Sequence, residues 1–121
     1  PDYGGRVAGL IAAHPDVPVL IDHLAEPHMG NAVEYADVLA LARYDNVYMK
    51  LSGLNHFSDD APLYLDAKPF TRLVIDAFGP ERLVWGSGAP EIVDAHLDRE
   101  TETERALVKG DNLARLLIDR A

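Results

Sequence analysis

The sequence contains no cysteine among its 121 residues, which excludes disulfides, thiolate metal sites and a cysteine nucleophile. It is also poor in positive charge, with 11 lysines and arginines against 20 acidic residues and a net charge of −9. Such a surface repels phosphate backbones and anionic lipids, so we expect neither nucleic acid nor a membrane surface as a partner. No apolar run approaches the ~20 residues of a membrane-spanning helix, and a cytoplasmic location is the default expectation.

Several motifs that would assign a chemistry directly are also missing. The sequence has no H-x-H pair, no H-E-x-x-H motif, no P-loop and no dinucleotide-binding fingerprint. What is present is a composition that is 48% hydrophobic and 26% charged, which is typical of a soluble globular protein. The length corresponds to a single domain, which we expect to cover residues 1–121.

Helical and strand patterns alternate along the chain. Short apolar runs predict three strands, at Val17–Asp22, Val47–Ser52 and Leu83–Ser87. Periodicity and turn signals predict helices at Tyr3–His14, at 31–44 with a capping box of Asn31 and Glu34, at Pro69–Phe78, at 104–109 and at Asn112–Arg120. The segment Glu91–Thr103 is polar and is predicted to be a connection.

Strands that are separated by helices run parallel with right-handed crossovers, so we predict an α/β fold. Three strands are too few to close an eight-stranded β/α barrel, which takes ~250 residues. The sequence leaves two arrangements open, a small open sheet or roughly the second half of a barrel. Because open edges of apolar strands are a liability, we expect a homo-oligomer or a complementary chain as partner.

Polar residues at the carboxyl ends of strands are where α/β folds place their chemistry. His23 follows the first strand, where an imidazole can ligate a metal or polarise a carbonyl, or simply bond a neighbouring loop. On the second strand, Tyr48, Lys50 and Ser52 alternate with apolar residues. Either this stripe faces a wet cavity, where Lys50 binds an anionic substrate, or the strand lies at an edge and the stripe faces solvent.

The third strand ends with Gly86 and Gly88 on one face. Two glycines leave room for a ligand or for the close packing of another chain segment. Ser87 does not have the spacing of a nucleophile elbow, and Trp85 is expected in the core.

Histidines outside the strands are weaker candidates. His56 lies with Asp59 and Asp60 in a connection that is longer than usual, where these residues could contact a substrate. His14 is expected to interact with a helix end, and His28 and His96 are expected in exposed loops.

Four segments form recognisable motifs in chain order: HPD at 14–16 leading to IDHL at 21–24, NVYMKLSG at 46–53, FGPERLVWGS at 78–87, and GDNLARLL at 110–117. Together they resemble the C-terminal part of the amidohydrolase-related family of metal-dependent hydrolases and lactonases. The resemblance covers nearly the whole chain. It implies the second half of a distorted TIM barrel that acts on small carbonyl or carboxylate substrates, namely lactones, amides or decarboxylation substrates.

The resemblance also implies roles for individual positions. His23 matches the family's strand-tip histidine, which binds a divalent metal such as zinc or the substrate carbonyl. Gly88 falls where the family has an aspartate in W-G-S-D-x-P, the general base toward the hydrolytic water, and the family's H-x-H pair is absent. Independently of the resemblance, the positions of Lys50, Ser52 and His56 predict that they bind substrate. With one ligand and no base, this chain alone is expected to retain no metal and to be a poor hydrolase.

Three hypotheses follow from this pattern. The first is a hydrolase that is completed by a missing N-terminal half or a partner chain. The second is a catalytically impaired barrel remnant that acts as a binding or assembly subunit. The third is an enzyme of altered mechanism, in which Lys50 or an aspartate of the long connection replaces the lost base.

Overall fold

A computed structural model describes residues 3–27 and 32–118. Within these ranges, strands and helices alternate as predicted, and both strand pairs are parallel. The elements are β1 (Val19–Ile21), β2 (Val47–Leu51), β3 (Leu83–Trp85), α1 (Tyr3–Ala13), α2 (Ala32–Leu39), α3 (Lys68–Phe78), α4 (Pro90–His96), α5 (Glu102–Ala106) and α6 (Asn112–Ile118). The prediction of an α/β fold with parallel strands is therefore confirmed.

The second strand is the central strand of the sheet. The order is β1-β2-β3, with Ile21 opposite Met49 and Lys50 opposite Val84. The alternative in which the polar stripe lies on an edge strand is therefore wrong. The outer edges of β1 and β3 pair with no further strand within the described residues.

The central strand shows the predicted alternation of buried and half-buried residues. Val47, Met49 and Leu51 are buried, whereas Tyr48 and Lys50 are half-buried. The buried side chains join one hydrophobic core with residues of the helices, among them Val38, Val74, Phe78, Val93 and Val108. Helices thus cover one face of β2, and the polar stripe lies on the other.

Three polar side chains anchor the amino-terminal ends of the strands. The Arg82 guanidinium donates hydrogen bonds to the carbonyl oxygens of Ala42 and Tyr44, both at 2.8 Å. The Asn46 amide donates to two carbonyl oxygens of the loop between α1 and β1. Asn112, which is fully buried, donates to the carbonyl oxygens of Pro80, in the turn before β3, and of Leu83, the first residue of β3. Arg82, Asn46 and Asn112 each belong to one of the sequence motifs, and these hydrogen bonds give each of them a structural role.

The polar segment Glu91–Thr103 is not a connection, and this prediction was wrong. Its first part forms most of α4, which Pro90 opens. The apolar residues Ile92 and Val93 are buried there, but a short helix with few apolar residues gives a weak periodic signal. The capping box of this region is formed by Thr101 and Glu104, where α5 begins.

His96 was expected in an exposed loop, but it lies at the end of α4 with 2% exposure. Its Nδ1 atom lies 2.8 Å from the Thr71 hydroxyl, and Nε2 lies 2.8 Å from the Leu63 carbonyl oxygen. Burial lowers the pKa of His96 below its ordinary value. This histidine is a structural residue.

Two sequence predictions fall on residues that the structure does not describe. The capping box at the start of α2 depends on Asn31, which lies outside the described residues, as does His28. No helix in the described part of the chain is long and apolar enough to cross a membrane.

Candidate functional site

The candidate residues meet at the carboxyl ends of β1 and β2. His23 follows β1 and Ser52 follows β2, and His23 Nδ1 lies 2.9 Å from Ser52 Oγ. The His56 ring packs edge-on against His23 with 5.0 Å between the ring centroids. We call this group, completed by three charged residues that contact it, the strand-tip cluster. Its members are Asp22, His23, Glu26, Lys50, Ser52 and His56.

The chain leaves β1 through an unusual left-handed turn. β1 ends at Ile21, and His23, Leu24, Ala25 and Glu26 then have φ angles of 46°, 57°, 62° and 48°. Each non-glycine residue in this region costs about 1–2 kcal/mol, and such strain gathers at functional sites. β1 therefore ends one residue before the predicted strand does, and His23 lies two residues beyond its end.

Buried contacts hold this turn in place. Leu24 is fully buried, and the Tyr35 hydroxyl donates a hydrogen bond to its carbonyl oxygen. Within the turn, the Glu26 amide donates to the His23 carbonyl oxygen. The strained backbone thus presents Asp22, His23 and Glu26 at one edge of the sheet.

Lys50 reaches the cluster through an ion pair. Its Nζ atom lies 3.0 Å from Asp22 Oδ1, and the other oxygen, Oδ2, lies 3.4 Å from His23 Nε2. The hydrogen bond from Lys50 lowers the pKa of Asp22. The lysine side chain occupies the space beside Gly86, where a Cβ atom would collide with it. The room at this glycine therefore accommodates Lys50 rather than a ligand.

His56 is paired with a carboxylate on the outer side of the cluster. Its Nδ1 atom lies 2.9 Å from Glu26 Oε1, and 43% of its side chain is exposed. Asp60 of the same long connection accepts a hydrogen bond from the Asp66 amide, and Asp59 is exposed. The contacts of the described residues therefore place neither aspartate against His23.

Gly53 makes the contact between His23 and Ser52 possible. It has a φ angle of +67°, and a Cβ atom built there would lie 2.8 Å from Cγ and Nδ1 of His23. Any other residue would strain the backbone and push the imidazole away from the Ser52 hydroxyl.

A small hollow of about 80 Å³ connects the cluster to the end of β3. Its polar lining consists of Ser52, Asn55, Tyr64 and Ser87, next to Gly88. Gly88 has a φ angle of +95° and contributes no side chain to the hollow. Ser52 belongs to both features, so His23 and the Gly88 position lie at the same edge of the sheet.

A larger cavity of about 770 Å³ lies between α1 and β1 and is mostly apolar. Its walls include Val7, Leu10 and Ile11, and its lining also contains Asp22, His23 and Glu26 of the strand-tip cluster. Apart from His14, the polar side chains that line the cavity all belong to that cluster. We therefore place the candidate site at the strand tips, which border both the larger cavity and the small hollow.

The described residues do not assemble a metal site by themselves. They contain no group of three histidine, aspartate or glutamate side chains that could hold a metal ion. His23 contacts Ser52 and Asp22 through its two ring nitrogens, and His56 Nδ1 contacts Glu26. A catalytic zinc ion takes three protein ligands, and this arrangement does not offer them.

Sequence reasoning identified His23, Lys50, Ser52 and His56, and the structure brings all four together. It missed the two carboxylates. Asp22 was predicted only as the last residue of the first strand, and Glu26 had no periodic signal. The available clue was that Asp22 and Glu26 lie four residues apart and flank His23 at the end of a strand.

Comparison of the sequence with known proteins gives matches to amidohydrolases and to enzymes named for lactone hydrolysis. The sequence pattern of the amidohydrolase family matches residues 6–117. The chain is 39% identical over 80 residues to an L-fucono-1,5-lactonase of Burkholderia ambifaria, covering 64% of this chain and 28% of that protein. It is 32% identical over 77 residues to a 4-sulfomuconolactone hydrolase of Hydrogenophaga intermedia, covering 61% of this chain and 25% of that protein.

Solved structures share the fold. An amidohydrolase of Burkholderia multivorans with bound HEPES superposes with a TM-score of 0.78 at 25% identity, covering 94% of this chain and 49% of that chain. A second crystal form of this amidohydrolase, with bound zinc, superposes with a TM-score of 0.75 at 25% identity, covering 94% of this chain and 48% of that chain. The chain therefore corresponds to about half of these solved chains and about a quarter of each curated relative.

Proposed function

The chain belongs to the amidohydrolase family, and we propose that it supplies part of a site that hydrolyses a lactone. In that reaction water adds to the carbonyl carbon, the ring C–O bond breaks, and the ring oxygen becomes a hydroxyl group of the product acid. The names of the curated relatives, a fuconolactonase and sulfomuconolactone hydrolases, support a cyclic ester as the substrate.

The observation that carries this proposal is the hydrogen bond between His23 and Ser52 beside the hollow at Gly88. When the Ser52 hydroxyl donates to Nδ1, Nε2 carries the proton of the neutral imidazole. This N–H group lies beside Asp22, with 3.4 Å between Nε2 and Oδ2. In this proposal the carbonyl oxygen of the lactone replaces that long contact, and the N–H group donates to it and to the negative charge that develops on it. In this proposal His23 polarises the carbonyl, and Ser52 fixes the orientation and tautomer of the ring.

The group that accepts the proton of the attacking water is not the residue at position 88. Gly88 cannot accept a proton from the attacking water, and a general base contributes roughly 10²–10⁴ in rate. We propose that a complementary chain or a second copy, docked against the unpaired edges of the sheet, completes the site.

A second candidate function is a binding or assembly subunit without catalysis. The bare Gly88 position and the absence of a three-ligand group among the described residues favour it. In this case the strand-tip cluster would hold a ligand without turning it over.

The deciding experiment measures hydrolysis of L-fucono-1,5-lactone with a pH indicator, above the spontaneous rate. The His23→Ala variant is expected to lose at least about 100-fold in kcat/KM, because alanine offers no donor to the carbonyl oxygen. His14→Ala is the matched control, since His14 is exposed after the end of α1. The assay is made on the chain alone and on the chain coexpressed with the neighbouring reading frame. Saturable binding of the lactone with no acceleration in either sample would contradict the hydrolase proposal and support the binding subunit.

A further inference from the structure

The charges of the strand-tip cluster are not those of an anion site. Its only lysine, Lys50, has its Nζ atom 3.0 Å from Asp22, so its positive charge is balanced. Glu26 remains as a second carboxylate with 63% of its side chain exposed, and its partner is the imidazole of His56. The two carboxylates and the one ammonium group of the cluster together carry a charge of −1. An anionic group would meet a carboxylate here without an available cation.

The hollow next to the cluster is lined by neutral polar groups. Ser52, Tyr64 and Ser87 contribute hydroxyl groups, and Asn55 contributes an amide. None of the described residues that line it is a lysine or an arginine. Hydroxyl and amide groups both donate and accept hydrogen bonds, which suits the hydroxyl groups of a sugar.

From these two observations we infer that the site selects an uncharged, hydroxyl-rich lactone and disfavours lactones that bear a carboxylate or sulfonate. The inference rests on the proposed function and narrows its substrate class. Hydroxyl groups of such a lactone donate to Asp22 and Glu26 and exchange hydrogen bonds with the hollow. A carboxylate or sulfonate instead suffers like-charge repulsion and loses its hydration without compensation.

The curated relatives do not decide this question. One is named for a fuconolactone and another for a sulfomuconolactone, and their identities to this chain are 39% and 32%. The charge distribution at the strand tips therefore provides information that sequence similarity does not.

The first test compares two lactones that differ only in charge. One is a neutral hexonolactone, and the other is the same lactone with its terminal hydroxymethyl group oxidised to a carboxylate. We expect kcat/KM to be at least about tenfold higher for the neutral lactone at low ionic strength, which corresponds to about 1.4 kcal/mol. Added salt should reduce the preference, because it screens the repulsion. An equal or reversed preference would overturn the inference.

The second test frees Lys50 from its ion pair with Asp22. Asp22→Asn removes the partner of Lys50 and is expected to reduce the preference for the neutral lactone about tenfold. Adding Lys50→Met to this variant should restore the preference, since the freed cation is then removed.

Asp76→Asn provides the matched control. Asp76 is 67% exposed and lies 2.8 Å from Arg72 on α3, whereas Asp22 is 66% exposed and lies 3.0 Å from Lys50. Both substitutions remove one negative charge and break one ion pair. If Asp22→Asn and Asp76→Asn change the preference for the neutral lactone equally, the change comes from the total charge of the protein, and the inference fails.

Failure of the proposed function would be recognised separately. If no lactone is hydrolysed, the non-hydrolysable lactams of the same two compounds are compared by the rise in unfolding temperature that they cause. A larger rise with the neutral lactam supports the inference, and an equal or larger rise with the carboxylated lactam overturns it. If Asp22→Asn does not fold, Glu26→Gln tests the other carboxylate of the cluster. It leaves Lys50 paired with Asp22 but removes one negative charge at the site, so the preference for the neutral lactone should fall, and an unchanged preference would overturn the inference.

Discussion

The two ends of the sheet use their polar side chains in opposite ways. At the amino-terminal end, Arg82, Asn46 and Asn112 donate to main-chain carbonyl oxygens. At the carboxyl end, the members of the strand-tip cluster contact one another, and all of them except the buried Ser52 stay partly exposed. In β/α barrels the first end serves stability and the second carries the chemistry. The difference shows that polar residues of the same motifs can have unrelated roles.

The same contrast appears in the backbone. The strand-tip cluster depends on four consecutive non-glycine residues with positive φ and on a glycine packed against His23. The amino-terminal anchors, in contrast, donate hydrogen bonds to main-chain carbonyl oxygens in the loops and at the strand ends. Substitutions at the amino-terminal end should therefore mainly lower the free energy of unfolding, whereas substitutions at the carboxyl end should also lower kcat/KM.

The largest effect is expected at the amino-terminal end. Arg82→Ala removes hydrogen bonds to the carbonyl oxygens of Ala42 and Tyr44, and hydrogen bonds from charged groups contribute about 1.5–3 kcal/mol each. We expect the free energy of unfolding in urea to fall by about 3 kcal/mol. The kcat/KM of the remaining folded protein should change less than about threefold.

Arg82→Lys is the control for this variant, because an ammonium group keeps the charge but does not reproduce the forked geometry. It should lose an intermediate amount of stability. A large loss of activity with unchanged stability in Arg82→Ala would erase the proposed contrast between the two ends.

Sequence patterns predicted the amino-terminal framework better than the site. Apolar runs and intervening helices identified three parallel strands, and the alternation along Val47–Leu51 is present in the structure. The central position of β2 was left open, because strand order depends on contacts distant in sequence. The helix at Pro90–His96 was missed, since tertiary packing rather than a long periodic pattern stabilises it.

The site was predicted as a set of residues but not as a network. His23, Lys50, Ser52 and His56 were identified because strand tips and loops carry chemistry. The partnership of Lys50 with Asp22 was not foreseen, because it depends on the left-handed turn after Ile21. No glycine marks that turn in the sequence, and buried contacts of Leu24 hold it instead.

The next largest effect is expected at the carboxyl end. Gly53→Ala places a Cβ atom 2.8 Å from the His23 ring at a φ angle of +67°. We expect stability to fall by about 1–2 kcal/mol from the backbone strain, and kcat/KM to fall about tenfold because His23 is displaced from Ser52. Activity assays and urea titrations on the same samples measure both effects.

Gly9→Ala is the matched control for Gly53→Ala. Gly9 lies within α1, and a Cβ atom there meets nothing within 4 Å. Alanine in a helix is favoured over glycine by roughly 0.5–1 kcal/mol, so this variant should gain stability and keep its activity. If Gly53→Ala behaves in the same way, the contact between Gly53 and His23 does not position the imidazole.

The smallest effect extends the comparison to His96, which bonds a main-chain carbonyl like the anchors at the amino-terminal end. Burial lowers the pKa of His96 below the value of 6.5 of an unperturbed histidine. Below about pH 6.5 the unfolded chain therefore binds a proton that the folded chain does not yet bind, so the free energy of unfolding rises with pH in this range. Stability should be complete above about pH 6.5 and decrease as the pH falls below it.

Unfolding in urea at several pH values between about 5 and 8 measures this slope, and His96→Gln should flatten it. His14→Gln removes an exposed histidine and should leave the slope unchanged. A slope that persists in His96→Gln but disappears in His23→Gln would assign the proton to the strand-tip cluster. The histidine of the site would then contribute to stability, and the division between the two ends of the sheet would be weaker than their hydrogen bonds indicate.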